Sequence, residues 1–334
     1  MNRKIGLVLA GGGGKGAYQI GVWKALKEFG IDKNISTVSG TSVGAMNMLL
    51  FAQGNYEIAE DVWINISSDD ILNIDAERIV NHLPNRFKSR KIVDFFKSHG
   101  LFSREGLINI MDRYINFDSI YDLDMFATCS DVTDYPPGIR EISAFTNCVV
   151  GKKFGKETYF KLNNYSTDMI KKILLASSAL PFIFDTEEIE GKIYYDGGLC
   201  DNVPIKPVYD VGCKVIFVIH LNRTRVIDHD KFPDAQILEI VPQDEQGGTI
   251  KGTLDFTTDG AMRRIEQGYN DTIRIIKPIY EMGITQYKLK KTLYNLHEDE
   301  LRFKTKHIKV LQEREDIKAE MKVLLDSTKI GGNE

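Results

Sequence analysis

The chain has 334 residues, 43% of them hydrophobic and 27% charged, too long for a disulfide-stapled mini-protein and too apolar for a disordered chain. Its 43 basic and 47 acidic side chains give a formal net charge of -4, which supplies no global reason for nucleic-acid binding but permits a local basic patch at a membrane surface. Cys129, Cys148, Cys200 and Cys213 lack CxxC spacing, so reduced thiols in a cytoplasmic protein are expected, without disulfides or a metal site.

The positive start Met1-Asn2-Arg3-Lys4 leads into an apolar run, Ile5 to Ala10, that reaches glycine too soon for a signal-peptide core of about 7–15 residues. No stretch approaches the roughly 18 apolar residues of a membrane span. Ile5 to Ala10 is expected as a strand buried on both faces, Gly11 to Gly14 as a turn, and the residues from Ala17 to Phe29 as a helix stopped by Gly30. Ile35 to Ser39 is a β-branched strand, followed by a turn and the apolar helix Ala45 to Ala52. Two parallel strands joined by a crossover helix imply an α/β domain.

Between about 56 and 122 the pattern is helical and polar, with Trp63, Ile64, Phe95 and Phe96 among charged residues. This is expected to be a helical insertion, a lid or substrate wall. Strands are expected at Asp124 to Ser130 and Arg140 to Phe145 around the turn Pro136-Pro137-Gly138. A helix with Ser166 as N-cap and Asp168 in its first turn follows, barred from continuing by Pro181. Gly191 to Tyr195 and Lys214 to Ile219 are the next strands, and from about Leu254 the chain is mostly helical with dense mixed charge.

Gly11-x-Gly13-x-x-Gly16 after a strand satisfies the dinucleotide-binding pattern literally. That pattern also expects a carboxylate after the second strand, where this chain has Ser39-Gly40-Thr41-Ser42. A nucleotide P-loop is contradicted by Gly16 following Lys15. Gly40-x-Ser42-x-Gly44 on a strand-to-helix turn is instead a nucleophile-elbow pattern, with small neighbours allowing close packing around a serine held at the sheet edge. Acyl transfer at Ser42 requires N–H donors for an oxyanion, and Gly12, Gly13 and Gly14 end the adjacent strand without side chains to block approach.

These motifs resemble the patatin-like phospholipase family over roughly residues 4 to 222. Gly11-Gly12-Gly13-Gly14-Lys15-Gly16 resembles its glycine-rich oxyanion motif with a basic residue, and Gly40-Thr41-Ser42-Val43-Gly44 its nucleophile motif. Ala176-Ser177-Ser178-Ala179-Leu180-Pro181 resembles the block that precedes the family's aspartate, and Asp196-Gly197-Gly198 the aspartate motif itself. The resemblance implies a three-layer α/β/α patatin-like fold with a mainly parallel central sheet, a helical cap insertion (about 56–122) and C-terminal helices. The catalytic domain is expected at 4–222, with 223–334 a mainly helical extension packed on it.

The resemblance further implies a serine acyl hydrolase with a Ser42–Asp196 dyad, an oxyanion hole at Gly12, Gly13 and Gly14, and no cofactor. The expected partner is a phospholipid or lysophospholipid, with peripheral membrane contact and no nucleic acid. Two alternatives stay open: a nucleotide-binding regulatory module using the Gly11 to Gly16 turn, and a Ser-His-Asp esterase using His220, which ends a buried strand. Lys15 is read as an electrostatic support of the glycine loop, a headgroup contact or a solvated residue. Trp63, Phe95, Phe96, Leu101 and Phe102 are read as acyl-channel lining or simply core.

Overall fold

The computed structural model describes residues 4–65, 104–120, 122–149, 151–181, 184–223, 227–248, 252–253 and 255–330. In chain order the regular elements are β1 (Ile5–Leu9), α1 (Ala17–Glu28), β2 (Ile35–Thr41), α2 (Val43–Ala52), α3 (Tyr56–Asn65) and α4 (Arg104–Tyr114). β3 (Asp124–Asp131), α5 (Ile139–Val149), β4 (Lys156–Lys161) and α6 (Thr167–Ser177) follow, then β5 (Glu187–Ile189) and β6 (Lys192–Asp196). The last are α7 (Ile205–Asp210), β7 (Val215–Ile219), β8 (Gln236–Ile240) and α8 (Thr258–Ile330).

The strands form one sheet in the order β5-β6-β3-β2-β1-β7-β8, with β4 also paired to β3. β1 is flanked by parallel β2 and β7, and β8 and β3 extend the parallel core. β4 and β6 both run antiparallel to β3, and β5 antiparallel to β6. The expected α/β/α layering is present, and β1 shows why. Alternate strand residues point to opposite faces: Val8 joins a buried cluster with Ile205, Val208 and Ile216, while Leu7 and Leu9 meet Ile20, Trp23 and Phe51 from α1 and α2.

The sheet has more members than the sequence pattern suggested. β4, β5 and β8 were not expected, because each is short and the six residues of β4 are mostly charged or polar. The expected strand Arg140 to Phe145 is instead part of α5. Its alternation is too brief to separate a period of 2 from 3.6. The Gly138 N–H donates to Glu141 Oε2 at 2.5 Å and the Arg140 N–H to the Pro136 carbonyl at 3.0 Å, so the proline turn starts a helix. Ser166 does cap α6, accepting from the Met169 N–H at 3.5 Å. Within the expected insertion α3 and α4 are helices, whereas Phe95, Phe96, Leu101 and Phe102 lie outside the described residues.

The chain divides into two compact units, Met1–Ile275 and Ile276–Glu334. The first runs past the expected boundary at 222, because β8 pairs with the outer edge of β7 and the start of α8 crosses α1. That crossing brings backbones together: a Cβ on Gly21 would lie 1.8 Å from the Ile265 carbonyl oxygen, and one on Gly268 would lie 2.1 Å from that of Tyr18. In the second unit every seventh residue from Met282 to Leu324 is apolar and exposed. No described helix is long and apolar enough to cross a membrane.

The α1–α8 crossing gives a stability test. Gly21→Ala is expected to lose at least about 3 kcal/mol in urea unfolding, because the obstacle is backbone. Gly30→Ala, at φ +65° with open space around it, is expected to lose only about 1–2 kcal/mol. Equal losses would show that the crossing is not tight.

Candidate active site

Strand β3 brings the site together. Residues Phe126 to Thr128 pair with β2 on one edge and with β4 on the other, and Cys129 to Asp131 pair with β4 and with β6. Since one edge holds one partner at a time, β6 must continue along the edge that β2 vacates. The last β2 rung is Thr41–Thr128 and the next is Asp196–Cys129, so two strands 155 positions apart abut with their C-terminal ends together. Ser42 and Asp196 stand at that junction.

Ser42 has φ 55° and ψ -126°, a conformation costly for a residue with a Cβ. The surroundings enforce it. A Cβ at Gly40 would sit 2.4 Å from the Gly44 carbonyl oxygen, and one at Gly44 would sit 2.2 Å from that of Leu9. The Ser42 N–H donates to Ser177 Oγ at 2.9 Å, and the Ser177 hydroxyl donates to the Thr128 carbonyl at 2.7 Å. Ser42 is the N-cap residue of α2, yet its side chain caps nothing, so the hydroxyl is left for other work at the positive end of the helix.

That hydroxyl faces the Asp196 carboxylate, which accepts the Gly198 N–H at 2.7 Å. Asp196 is 2% exposed, and burial pushes its pKa up to about 6 against the opposing effects of the Gly198 N–H and the Ser42 hydroxyl. Its own N–H is held by the Ala179 carbonyl at 2.9 Å, so the block from Ala176 to Pro181 braces both Ser42 and Asp196. Gly197 is required by the same junction, since a Cβ there would lie 2.3 Å from the Thr128 carbonyl oxygen. Cys129 and Cys200 lie at this junction and Cys213 packs against Val8 and Val208; all three are free, buried thiols, and the side chain of Cys148 is outside the described residues.

The glycine loop lies beside Ser42. Gly11 exchanges two bonds with Asn202, donating N–H to its carbonyl at 3.2 Å and accepting from its Nδ2 at 3.0 Å. Gln19 Nε2 holds the Ala10 carbonyl at 2.8 Å, and Asn47 links Gln19, the Gly16 carbonyl and Trp63 Nε1. Gly13 has φ +56° and lines the same cleft as Ser42. Of the three expected oxyanion donors, Gly14 is already engaged: its N–H donates to the Thr253 carbonyl at 2.8 Å. No bond from the N–H of Gly12 or Gly13 to another described residue is recorded.

Lys15 is not a solvated residue. It is 3% exposed, donates to Asn222 Oδ1 at 2.7 Å, and its pKa is lowered chiefly by burial and then by the charge of Arg264. His220 does not join Ser42: its Nε2 pairs with Glu239 Oε2 at 2.9 Å, and Asp196's hydrogen-bond partners are Ser42 and Gly198. Gly16 is small for packing reasons, as its Cβ would meet Val43 at 2.6 Å and Trp63 at 2.8 Å.

From Ser42 a cleft of about 880 Å³, measured with its open mouth, runs beside α2. Val43, Met46 and Leu50 line it from α2, Trp63 from α3, Leu107 and Met111 from α4, and Phe256 stacks on Trp63 at 6.2 Å. Polar residues are few, and the arrangement suits a reacting polar group at Ser42 with an apolar chain extending away. Among the residues that sequence reasoning passed over, Ser177 carried a signal, lying in a quoted block, whereas Asn202, Asp255 and Arg264 lie in no motif.

The chain is 25% identical over 234 residues to rat "Patatin-like phospholipase domain-containing protein 7", covering 69% of this chain and 14% of that protein. It is 25% identical over 228 residues to "Lysophospholipase NTE1" of Eremothecium gossypii, covering 64% of this chain and 12% of that protein. The chain thus spans about an eighth of the length of these curated relatives. Among solved structures, VipD from Legionella pneumophila aligns with TM-score 0.40 and 14% identity over 83% of this chain and 67% of that one. The family described as "Patatin-like phospholipase" matches residues 7–209, more than half of the chain and inclusive of Gly11 to Gly16, Ser42 and Asp196. The chain belongs to the patatin-like phospholipase family.

Proposed function

We propose that the chain hydrolyses fatty-acyl esters of phospholipids or lysophospholipids, with Ser42 as nucleophile and Asp196 as general base. The observation that carries this reading is the Ser42 hydroxyl facing a buried carboxylate beside an apolar cleft. Ser42 Oγ attacks the ester carbonyl carbon as Asp196 takes its proton, and the carbonyl oxygen becomes an oxyanion facing the Gly12 and Gly13 N–H groups. Each such donor is worth roughly 2.7–4 kcal/mol. Collapse breaks the ester C–O bond, and the leaving alcohol takes the proton from Asp196. Water, giving its proton to Asp196, then attacks the acyl-serine; collapse breaks the acyl C–Oγ bond, releases the fatty acid, and Asp196 returns the proton to Ser42 Oγ.

An ordinary aspartate is a weak base toward an alcohol. The elevated pKa of Asp196 is therefore functional: it remains ionised at neutral pH yet holds a proton more firmly. The apolar walls support an acyl chain, and the names of the relatives support a lipid ester. The same reading has the substrate drawn from a membrane surface by peripheral contact. Three buried free thiols suit a reducing compartment, which is the basis for placing the chain in the cytoplasm. The dinucleotide alternative is weaker because the Thr253 carbonyl already takes the Gly14 N–H that a phosphate would need.

The test is labelling by a fluorophosphonate and hydrolysis of a monoacyl phospholipid. Ser42→Ala is expected to abolish both and Asp196→Asn to lower turnover by at least about 10³-fold, while His220→Gln keeps turnover within about threefold. Full activity in Ser42→Ala would end the reading. With the base ionising at about 6, kcat/KM should fall tenfold per pH unit below that value and level off above it. A stability test has a definite sign. Because the folded pKa is raised, the folded state binds more protons than the unfolded chain between about pH 4 and 6, so ionisation of Asp196 lowers stability across that window. Asp196→Asn should therefore melt higher than wild type at pH 8, by on the order of 1–3 kcal/mol, and show little gain at pH 4.

A further inference from the structure

Four consecutive glycines form the most flexible backbone available, whereas an oxyanion hole works only when its N–H groups are fixed beforehand. The upstream end of the loop is gripped by Asn202 at Gly11. The downstream end is gripped by residues well beyond the family match, which ends at 209. The Thr253 carbonyl takes the Gly14 N–H at 2.8 Å, and the backbone oxygen of Asp255 lies 2.1 Å from where a Gly14 Cβ would stand. The strap therefore rests directly on the Gly13–Gly14 peptide and the one after it.

Arg264 holds that strap. Its side chain is buried, one turn before the Gly268 crossing that pins α8 to α1. Its Nη2 pairs with Asp255 Oδ2 at 2.8 Å and reaches the Gln246 carbonyl at 3.4 Å. Its Nη1 donates to the Asp255 carbonyl at 2.9 Å and reaches the Gly14 carbonyl at 3.5 Å. One planar guanidinium thus connects both ends of the strap to the glycine loop, a fork that a lysine cannot reproduce. The same segment reaches the substrate side, where Thr253 and Phe256 line the cleft. Gln246 contributes its carbonyl although its own side-chain amide is buried and unpartnered.

We infer that Arg264, with Asp255, is a positioning residue for the oxyanion loop: the clasp fixes Gly14 so that the Gly12 and Gly13 N–H groups are aimed before substrate arrives. The matched family segment is then catalytically incomplete without Thr253, Asp255 and Arg264. The inference rests on the hydrolase reading above. Arg264 touches no reacting atom and acts through the loop alone.

The experiment compares full-length Arg264→Gln, Arg264→Lys, the double variant Arg264→Gln/Asp255→Asn, and Arg263→Gln as an exposed neighbouring control. Each is assayed on p-nitrophenyl butyrate for kcat, KM and pH profile, and by the rate of fluorophosphonate labelling. Arg264→Gln is expected to lose at least about tenfold in kcat and in labelling rate, with KM within about twofold and the acid limb unmoved, because Asp196 is untouched. Arg264→Lys should fall between, and Arg263→Gln should match wild type. The double variant removes both partners of the ion pair and leaves neither charge alone, so it tests folding separately: it should melt near wild type and stay slow. A folded Arg264→Gln or Arg264→Lys with wild-type kcat would overturn the inference, as would a double variant restored to full rate. Loss of labelling in Ser42→Ala of the parent protein is scored independently, so failure of the hydrolase reading is distinguishable from failure of the clasp.

Discussion

The edge of β3 is the constraint on which the site depends. It receives β2 as far as Thr128 and β6 from Cys129 onward, so two strands meet end to end on consecutive rungs. Consecutive rungs along a strand are about 3.3–3.4 Å apart, which is the distance scale of proton transfer between neighbouring side chains. No flexible loop sets the spacing of Ser42 and Asp196; a hydrogen-bond ladder does. The glycines at 40, 44 and 197 are the consequence, because each passes within van der Waals reach of a backbone that cannot yield.

Stability and chemistry pull in opposite directions at this junction. Ser42 sits at positive φ, and Asp196 is an acid denied water. Both features are unfavourable taken alone, and both are what a hydroxyl and its base require to react near neutral pH. The parallel core around β1, with helices on both faces, provides the rigid surroundings that hold them. Burial, with no charged partner among the causes, is what raises the Asp196 pKa.

The parts legible in the sequence were those where several local rules coincide. β1 and β7 are short apolar runs and β2 is rich in β-branched residues, and the turns after β1, β2 and β6 carry glycine where backbones approach each other. The glycine loop, Ser42 and Asp196 were therefore visible as motifs. β4 was hidden by its charged composition, and α5 because Ile142, Ala144 and Phe145 within six residues fit either period. Asp255 and Arg264 were hidden for a different reason. Their meaning arises from a contact with Gly14 some 240 and 250 positions away, and nothing in their own neighbourhood announces it. Gly14 likewise looked equivalent to Gly12 and Gly13 until its N–H was seen to be taken.

The abutment of β2 and β6 also orders events during synthesis. The ribosome delivers residue 42 early, but the second half of the β3 edge stays empty until residue 196 has emerged, and the glycine loop lacks its brace until residue 264 follows. A nascent chain short of that length has Ser42 without Asp196 beside it. Under the hydrolase reading proposed above, the site is complete only once nearly the whole of the first compact unit has left the exit tunnel.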